Sequence, residues 1–368
     1  MKKKIFAVSD VHGHATLLRR ALDEAGFDPD NPDHLFVGCG DYFDRGTENR
    51  EVYDFLSALP NKILVRGNHE DLLMSCLNRG KLGAHDIHNF TDVTIEQFLG
   101  NDSIAFDGTI AKGRRFEKRL RDFVDSTVDY FETEHFVFTH GWIALERNSS
   151  RDLSVGDFRR GTPDDWKDAR FREWMSMYRA GLTLHDKTIV CGHRNVAHAH
   201  VFDMRRRPTD SKPFYGERMI AIDVLTVVSG RVNVLVLEDE LLPETEHRMD
   251  LFGTQFEEML YDRKHIEMRL CDSKREAVKP GDTIVFRKAT DLGKTLRAKV
   301  YGVHKYENFE DLVHDYKPRN LGFSGRAKSS ICSKMNYLYG KDRIQKNGVL
   351  AIRVRVIDED TSNESNIS

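Results

Sequence analysis

Apolar and polar residues alternate in blocks along the first part of the chain. Short apolar runs at 4–8, 34–37 and 62–65 each end in polar residues and predict three β-strands. Between the first two runs, apolar residues recur at helical spacing over 17–25, and Gly26 follows as a stop signal. This strand–helix–strand alternation predicts a largely parallel sheet covered by helices. Ligands of such sheets gather at the carboxyl ends of the strands.

The pattern changes further along the chain. Residues 80–115 are rich in Gly, Asn and Asp without a clear period, which predicts a surface insertion. Further strands are predicted at 135–138, 188–191, 219–222 and 232–237. After residue 255, short strands at 283–286, 296–303 and 349–357 surround one helical stretch near 309–313, which predicts a small α+β or β-barrel domain.

These changes predict two domains. The first covers 1–245, an acidic linker covers 246–254, the second domain covers 255–357, and a disordered tail covers 358–368.

Composition narrows the class of protein. The chain has 368 residues, of which 39% are hydrophobic and 31% charged, as in an ordinary folded protein. It contains no run of 18 apolar residues, and the apolar stretch at its start is too short for a signal peptide. The five cysteines are widely spaced without a CxxC pair, which indicates reduced thiols. We therefore expect a cytoplasmic protein without a membrane partner.

Charge is distributed unevenly. The net charge of −3 combines −8 over residues 1–254, +9 over 255–357 and −4 over the tail. The basic segment predicts contact with a polyanion such as RNA or a nucleotide. The alternative is a scaffold whose basic surface docks on the acidic first domain.

Five short motifs each follow a predicted strand. They are Asp10-Val11-His12, the segment 40–46 (GDYFDRG), the segment 67–70 (GNHE), Thr139-His140-Gly141 and Gly192-His193. Taken singly, an aspartate at a strand end is often a helix cap and a lone histidine is usually structural. Five such motifs in order at one sheet edge predict a functional site.

The residue types in these motifs indicate metal chemistry. Asp, His and Asn provide oxygen and nitrogen donors without a thiolate, which suits manganese, iron or zinc. One carboxylate can bridge two ions about 3.5–4 Å apart, the separation used for displacement at phosphorus. Arg45 and Arg66 flank the motifs, and guanidinium groups pair with phosphate oxygens.

The five motifs together resemble those of the calcineurin-like metallophosphoesterases. The forms GDYFDRG and GNHE are similar to the phosphoprotein phosphatase branch, which includes bacterial and phage Ser/Thr phosphatases and diadenosine tetraphosphate hydrolases. The resemblance covers about residues 1–240. It implies an α/β fold, a four-layer α-β-β-α sandwich.

The resemblance also assigns roles to individual residues. It implies two divalent or trivalent metal ions, manganese first and iron or zinc as alternatives, with these ligands: Asp10, His12, Asp41, Asn68, His140 and His193. Asp41 would bridge the two ions. His69 would be the general acid, oriented by Asp44. Phosphate would be held by Arg45, Arg66 and Arg172, with Arg170 as the alternative to Arg172.

The function implied is hydrolysis of phosphate esters by in-line attack of a hydroxide bridging the two metals. A phosphoprotein Ser/Thr substrate is the first expectation. The alternatives are a dinucleoside polyphosphate or an RNA end, or a binding protein whose catalytic domain is vestigial. No motif is broken, which argues against the last of these.

Three residues near the motifs leave alternatives open. Trp142 follows His140-Gly141, where relatives commonly have a small residue, and could pack in the core or form a stacking platform. His198 and His200 lie just past His193, and we expect them at the surface or behind the ligands rather than as ligands.

The basic segment resembles the ASCH domains, a branch of the PUA-like β-barrels. The resemblance rests on a K-x-x-E-x-R string, then KPGDTIVF at 279–286, a string with aromatics at 304–309, and GVLAI at 348–352. It implies RNA or nucleotide binding in a cleft near Lys264, Glu267 and Arg269. Some relatives are amidohydrolases with a threonine at the position of Glu267, so this sequence departs from the pattern needed for deacetylation.

Overall fold

The computed structural model describes residues 2–100, 102–111, 114–147, 153–198 and 211–360. The chain divides into two compact units. The N-terminal unit comprises Met1–Gly156 and Trp166–Leu242, and the C-terminal unit comprises Asp157–Asp165 and Pro243–Ser368.

The part of the chain up to Leu242 contains eleven described strands and nine described helices. The strands are β1 (Lys2–Val8), β2 (His34–Cys39), β3 (Lys62–Val65), β4 (Phe131–Glu132), β5 (Phe136–Phe138), β6 (Glu146–Arg147), β7 (Leu153–Ser154), β8 (Thr188–Cys191), β9 (Phe214–Gly216), β10 (Met219–Ala221) and β11 (Leu235–Glu240). The helices are α1 (Ala15–Glu24), α2 (Asn49–Ala58), α3 (Asn68–Arg79), α4 (Ala84–His88), α5 (Thr91–Leu99), α6 (Arg114–Asp125), α7 (Pro163–Phe171), α8 (Trp174–Arg179) and α9 (Thr226–Ser229), with a 3₁₀ turn at Phe158–Arg160.

Two sheets organise the N-terminal unit. The first has the order β11-β1-β2-β3, and the second has the order β4-β5-β8-β10-β9. β1, β2 and β3 are mutually parallel, as are β5, β8 and β10, whereas β11 runs antiparallel to β1. The mixed α/β fold agrees with the alternation in the sequence, and the departures from fully parallel sheets are the antiparallel edge strands β11, β4 and β9.

Burial shows why the first sheet reads as continuous apolar runs. Ile5, Phe6, Ala7 and Val8 are all fully buried, although successive side chains of a strand point to opposite faces. The sheet is therefore covered on both faces, as parallel sheets require. One core packs Phe6 and Val8 against apolar residues of α1, α2, α3, α5 and α6.

The predicted surface insertion at 80–115 is partly wrong. Its described residues include α4 and α5, and Ile95 and Phe98 of α5 belong to the core of the unit. The sequence shows no clear apolar period here, because the buried positions of α5 include the polar residues Thr91 and Thr94.

The C-terminal unit has its own sheet and core. Its strands are β12 (Glu246–Leu251), β13 (Ile266–Leu270), β14 (Thr283–Lys288), β15 (Asp291–Tyr306) and β16 (Val349–Asp360). Its helices are α10 (Gly253–Leu260), α11 (Phe309–Asp315), α12 (Lys328–Tyr339) and α13 (Lys341–Asn347). The strands form a half-barrel sheet in the order β12-β14-β15-β16-β13.

The structure corrects three predictions here. The linker at 246–254 is β12 and the start of α10, because Met249 and Leu251 alternate with polar residues and Met249 pairs with Phe286. The prediction of a disordered tail is wrong for residues 358–360, which pair with β15, and residues 361–368 lie outside the described residues. α12 and α13 were not predicted.

None of the helices in the described part of the chain is long and apolar enough to cross a lipid bilayer.

Candidate metal centre and active site

The predicted ligands lie at the strand ends of both sheets of the N-terminal unit. Asp10 and His12 follow β1, Asp41 follows β2, and Asn68 begins the helix after β3. His140 follows β5 and His193 follows β8 in the second sheet. The six residues therefore come from five separate loops, as the alternation predicts.

The backbone at this edge is strained. Ten non-glycine residues in the described ranges have positive φ, and six of them belong to the motifs: Asp10, His12, Asp41, Asp44, Arg45 and His193. Strain of this kind persists only where surrounding structure enforces it, and it concentrates at functional sites.

Glycines in the motifs let the loops approach each other. A Cβ at Gly40 would lie 2.7 Å from both the Gly67 nitrogen and His140 Nδ1. A Cβ at Gly192 would collide with the Ser9 side chain. These motif glycines are therefore required by close backbone contact between the loops that carry the ligands.

Asp41 lies at the centre of the cluster. Its Oδ1 is 3.3 Å from His140 Nε2, and its Oδ2 is 3.7 Å from His12 Nε2. The two carboxylate oxygens thus face two different sets of donors. This is the arrangement needed for a carboxylate that bridges two ions.

The tautomers of two histidines suit metal binding. His12 Nδ1 is 3.1 Å from the Phe43 carbonyl oxygen, and His140 Nδ1 is 2.7 Å from the Cys39 carbonyl oxygen. A carbonyl can only accept, so each Nδ1 carries a proton and Nε2 is the ring nitrogen that faces the cluster. Such hydrogen bonds to the second ring nitrogen are typical of metal-bound histidine.

The remaining three predicted ligands join the same cluster. Asp10 Oδ1 is 3.9 Å from His12 Nε2, and Asn68 Oδ1 is 2.8 Å from His140 Nε2. The His193 backbone N–H donates to Asp10 Oδ2 at 2.9 Å, which ties the first motif to the last.

Burial and neighbouring charges shift the pKa values of these groups. Burial raises the pKa of the Asp10 carboxyl, and the nearby Asp41 adds to the effect. Burial lowers the pKa of His140, but the Asp41 carboxylate more than compensates and raises it to about 10. Burial and the proximity of His140 lower the pKa of His193 to about 4, which keeps that imidazole neutral and able to bind a cation.

The donor set fits two metal ions. Ligand atoms of His12, Asp41 and His69 lie within 4.8 Å of one another, and so do those of Asp41, His140 and His193. Both groups share Asp41 and contain only oxygen and nitrogen donors, as Mn, Fe or Zn sites of high coordination require. The identity of the metal does not follow from this geometry.

His69 and Asp44 form a buried pair beside the metal ligands. His69 Nδ1 is 2.9 Å from Asp44 Oδ2, and both side chains are almost completely buried. Burial lowers the pKa of His69, but the Asp41 and Asp44 carboxylates outweigh this and raise it. A ring nitrogen of His69 lies within 4.8 Å of ligand atoms of His12 and Asp41. Its Nδ1 contacts Asp44 and its Nε2 contacts Arg45, however, which suits a role beside the metal ligands.

The predicted phosphate-binding arginines have different surroundings. Arg45 contacts the Nε2 atoms of both His12 and His69, at 3.2 and 3.1 Å. Arg66 Nε is 2.8 Å from Asp71 Oδ1. Both lie next to the ligand loops, but binding of phosphate by them stays a prediction.

The structure separates Arg170 from Arg172. Arg170 is buried, with Nε 2.6 Å from Asp71 Oδ2 and Nη1 2.9 Å from Asp129 Oδ1. Arg172 Nη2 is 3.8 Å from the half-exposed Asp168, and its carbonyl packs against Gly141. Arg170 is thus engaged in a buried ion-pair network, and Arg172 stays our prediction for the phosphate-binding position.

Glu70 has a role that sequence reasoning missed. Its fully buried carboxylate accepts the backbone N–H groups of Asp41, Tyr42 and Gly67 at 3.0, 2.9 and 2.8 Å. It therefore clamps the loop of the bridging ligand to the loop of Asn68. The signal was a glutamate three residues after Gly67, the residue that caps the helix, which is the position of a capping box.

Two further polar residues surround Asp10. The Ser9 hydroxyl donates to Asp10 Oδ2, and the Thr226 hydroxyl donates to the Asp10 carbonyl at 2.7 Å. These contacts hold a ligand whose backbone is strained. No sequence spacing connects Thr226 with Asp10, since 216 residues separate them.

The alternatives left open by the sequence are decided for two residues. Trp142 is 1% exposed and its indole N–H donates to the Leu182 carbonyl at 2.9 Å, so it packs in the core and offers no stacking surface. His198 is exposed. His200 lies outside the described residues.

The predicted C-terminal cleft residues are joined to each other. Lys264 Nζ is 3.0 Å from Glu267 Oε2, and Arg269 Nε is 2.8 Å from Glu267 Oε1. Lys264 also donates to Gln255 Oε1 at 2.7 Å. Lys264 and Glu267 are almost completely buried, whereas Arg269 lines a cleft of about 830 Å³. Binding of RNA or a nucleotide in a cleft near these three residues stays a prediction.

Comparison with known proteins agrees with this site. Residues 3–221 match the model of the calcineurin-like phosphoesterase family. Serine/threonine-protein phosphatase 2 of Salmonella typhimurium is 39% identical over 72 residues, which are 20% of this chain and 32% of that protein. The match therefore spans about a third of the length of this relative.

Solved structures give similar neighbours at low identity. A putative diadenosine tetraphosphatase aligns over 65% of this chain and 94% of its own, with 17% identity and a TM-score of 0.38. A serine/threonine phosphatase from Saccharomyces cerevisiae aligns over 66% and 81%, with 15% identity and a TM-score of 0.33. The family match covers more than half of the chain and contains all six predicted metal ligands. The chain therefore belongs to the calcineurin-like phosphoesterase family and is a metal-dependent hydrolase.

Proposed function

We propose that this chain is a two-metal phosphatase that removes phosphate from phosphoserine and phosphothreonine in proteins. The observation that carries the proposal is the buried cluster around Asp41, which lies beside both the His69–Asp44 pair and Arg45. Two cations at these ligands, manganese by our proposal, would activate water and neutralise charge on the phosphate. Asp10, His12 and Asp41 would hold one ion, and Asp41, Asn68, His140 and His193 the other.

The remaining steps belong to the protein's own side chains. Arg45, which contacts the imidazoles of His12 and His69, holds a phosphate oxygen. Arg66 and Arg172 make further contacts with the phosphate. His69 gives a proton from Nε2 to the leaving oxygen, while the Asp44 carboxylate accepts a hydrogen bond from the Nδ1–H group and fixes the ring.

A direct assay tests the substrate. Manganese-loaded protein is offered a phosphoserine and a phosphothreonine peptide, diadenosine tetraphosphate and 5′-triphosphate RNA, and phosphate release is measured. We expect turnover of the peptides, and we expect Asp41→Asn to abolish it. Preference for either nucleotide substrate would replace the phosphoprotein proposal by a nucleotide phosphohydrolase. Absence of turnover that depends on Asp41, on these substrates and on p-nitrophenyl phosphate, would refute both.

A second proposal concerns the C-terminal unit, which we infer binds single-stranded RNA. The cleft of about 830 Å³ is lined by seven cationic side chains and two acidic ones. The cations are Arg248, Arg269, Lys274, Arg275, Arg287, Arg297 and Arg343. Glu246 pairs with Arg297 at 2.8 Å and Asp250 pairs with Arg287 at 2.8 Å, so the lining keeps an excess of positive charge.

The composition of the cleft favours nucleic acid over a simple anion. Six of the seven cations are arginines, which bind phosphate through two parallel hydrogen bonds and also stack on bases. Phe252, with 64% of its surface exposed, lies on the same lining and offers an aromatic face. Cationic grooves with aromatic residues are typical of single-strand binding.

The test uses fluorescence anisotropy with a labelled 12-nucleotide RNA and the full chain. Lys274→Glu and Arg343→Glu should each weaken binding about tenfold and flatten its salt dependence. Lys317→Glu is the matched control, because this exposed residue makes the same charge change away from the cleft. Equal effects of Lys274→Glu and Lys317→Glu, or preferred binding of an acidic peptide, would contradict the proposal.

A further inference from the structure

The insertion between the third and fourth motifs contributes to the acid–base pair. α5 begins at Thr91, and both Thr91 and Thr94 are buried, at 1% and 0% exposure. A threonine hydroxyl removed from water in this way requires a partner. Both hydroxyls find the same one, which is the carboxylate of Asp44.

The contacts are short and involve both carboxylate oxygens. Thr94 Oγ1 donates to Asp44 Oδ1 at 2.8 Å, and Thr91 Oγ1 donates to Asp44 Oδ2 at 3.1 Å. Asp44 Oδ2 is also the atom that His69 Nδ1 contacts at 2.9 Å. The carboxylate therefore receives three donors, of which two come from one helix about 50 residues away in sequence.

α5 also fixes the backbone on which Asp44 lies. The Asp44 N–H donates to Thr94 Oγ1 at 3.2 Å, and Asp44 has a positive φ of 69°. Further along α5, Gln97 accepts the Asn49 N–H at 2.8 Å and donates to the Thr47 carbonyl at 2.6 Å. The helix thus holds the loop after Asp44 at both its beginning and its end.

We propose that Thr91 and Thr94 are positioning residues, which fix the Asp44 carboxylate so that His69 delivers its proton to the leaving oxygen. The inference rests on the proposed role of His69 as general acid. Neither threonine contacts the metal ligands or the position of the substrate in any hydrogen bond of the described residues. Their effect is therefore expected on proton delivery and not on phosphate binding.

The test compares leaving groups. Phenolate and alkoxide need a proton when they depart, whereas p-nitrophenolate departs without one. Thr94→Val and Thr91→Val should lower kcat for phenyl phosphate about tenfold while kcat for p-nitrophenyl phosphate changes less than about twofold. Thr94→Ser, which keeps the hydroxyl, should restore the kcat for phenyl phosphate.

Two controls separate a positioning role from a general loss of stability and from failure of the general acid. Thr127→Val removes a buried hydroxyl that donates to the Val124 carbonyl at 2.6 Å, so it reports loss of a buried hydrogen bond away from Asp44. His69→Asn should lower kcat for phenyl phosphate at least about 100-fold. In the wild-type protein without metal, the His69 Nδ1 proton should give a downfield ¹H signal that shifts in Thr94→Val and not in Thr127→Val.

Each outcome has one meaning. If His69→Asn discriminates between the two substrates and the threonine variants do not, the positioning role is refuted and the function of His69 stands. If His69→Asn does not discriminate, the general-acid role fails and the positioning role fails with it. Equal discrimination by Thr127→Val would assign the effect to stability and also refute the positioning role.

Discussion

Glu70 provides the sharpest test of how the metal site is held together. Its Oε2 accepts the N–H groups of Asp41 and Gly67, and its Oε1 accepts that of Tyr42. In Glu70→Gln an NH₂ group replaces one of the two carboxylate oxygens. This NH₂ group faces at least one of the three backbone N–H groups and cannot accept a hydrogen bond from it. Losing one charge-assisted hydrogen bond and leaving one buried N–H unpaired costs about 2–4 kcal/mol.

Hydrogen exchange followed by mass spectrometry measures this cost where it arises. A loss of 2–4 kcal/mol in opening free energy accelerates exchange about 30- to 1,000-fold. The acceleration should appear in the metal-free protein, in peptides that contain Asp41, Tyr42 and Gly67, and should be absent from peptides of the C-terminal unit.

The matched control is Glu48→Gln. Glu48 Oε2 also accepts a backbone N–H, that of Thr16 at 2.8 Å, but at an exposed position where water can replace it. Exchange near Thr16 should change less than about tenfold. Unchanged exchange of the Asp41 and Gly67 peptides in Glu70→Gln would refute the view that this carboxylate holds the two ligand loops.

Three further predictions follow from the N-terminal unit. Arg170→Met should destabilise the protein by about 3–5 kcal/mol in urea unfolding, because it removes a buried ion pair from both Asp71 and Asp129. Arg172→Ala should instead lower kcat/KM with little effect on unfolding, and the opposite result would exchange the roles of the two arginines. Burial raises the pKa of the Asp239 carboxyl, but hydrogen bonds from His135 and Thr133 outweigh burial, so that the pKa is lowered overall. Asp239 therefore contributes stability at neutral pH, and this stability is lost as pH falls below about 4. Asp239→Asn should therefore lower Tm at pH 7 and leave it unchanged near pH 2, and an equal loss at both values would contradict this. Removal of metal with EDTA should abolish turnover and lower Tm. Added Mn²⁺ at about 100 times its Kd should restore about 2.7 kcal/mol of stability. An unchanged Tm would argue against metal at the buried cluster.

The positions of the five motifs could be predicted from sequence because each motif follows a strand, whereas the metal-binding roles of their residues came from the family resemblance. Strand ends are visible as the points where an apolar run stops, and the parallel order brings them to one edge. Asp10, Asp41 and Asn68 were located in this way, and the structure brings them together around His12 and His140. The local pattern and the global fold agree at these positions.

Residues that support the ligands could not be predicted because their partners are remote in sequence. Thr94 acts on a carboxylate 50 residues away, and Thr226 acts on a carbonyl 216 residues away. A buried threonine also has the same appearance in a sequence as an exposed one. For this reason the insertion was interpreted as a surface segment, although it contains the donors that surround Asp44.

Charge misled the prediction of the linker. The predicted linker at 246–254 contains the acids Glu246 and Asp250, which suggests a solvated connection, yet β12 within it alternates inward and outward residues. Met249 and Leu251 point into the core of the C-terminal unit, and Asp250 between them pairs with Arg287 of the neighbouring strand β14. Periodicity over six residues was the better guide here than net charge.

The strained loops are held by hydrogen bonds and not by metal alone. All six motif residues with positive φ donate their backbone N–H to a group of another residue. The donor residues and acceptors are Asp10 to the Gly40 carbonyl, His12 to the Asp41 carbonyl, Asp41 to Glu70, Asp44 to Thr94, Arg45 to the Asn89 carbonyl and His193 to Asp10. Each of these acceptors lies on a different loop or helix from its donor.

Because strain of about 1–3 kcal/mol at each residue would otherwise relax, this set of bonds is what keeps the ligand geometry in place. Asp10 and Glu70 accept through their carboxylates, Thr94 through its hydroxyl, and the other bonds end on backbone carbonyls. Hydrogen bonds within the protein therefore fix the geometry of these loops, which reduces the ordering that cation binding requires and favours ions able to accept fixed oxygen and nitrogen donors. The same reasoning explains why the buried supports matter to the site: Glu70 holds the loops of Asp41 and Asn68, and the two threonines of α5 hold Asp44.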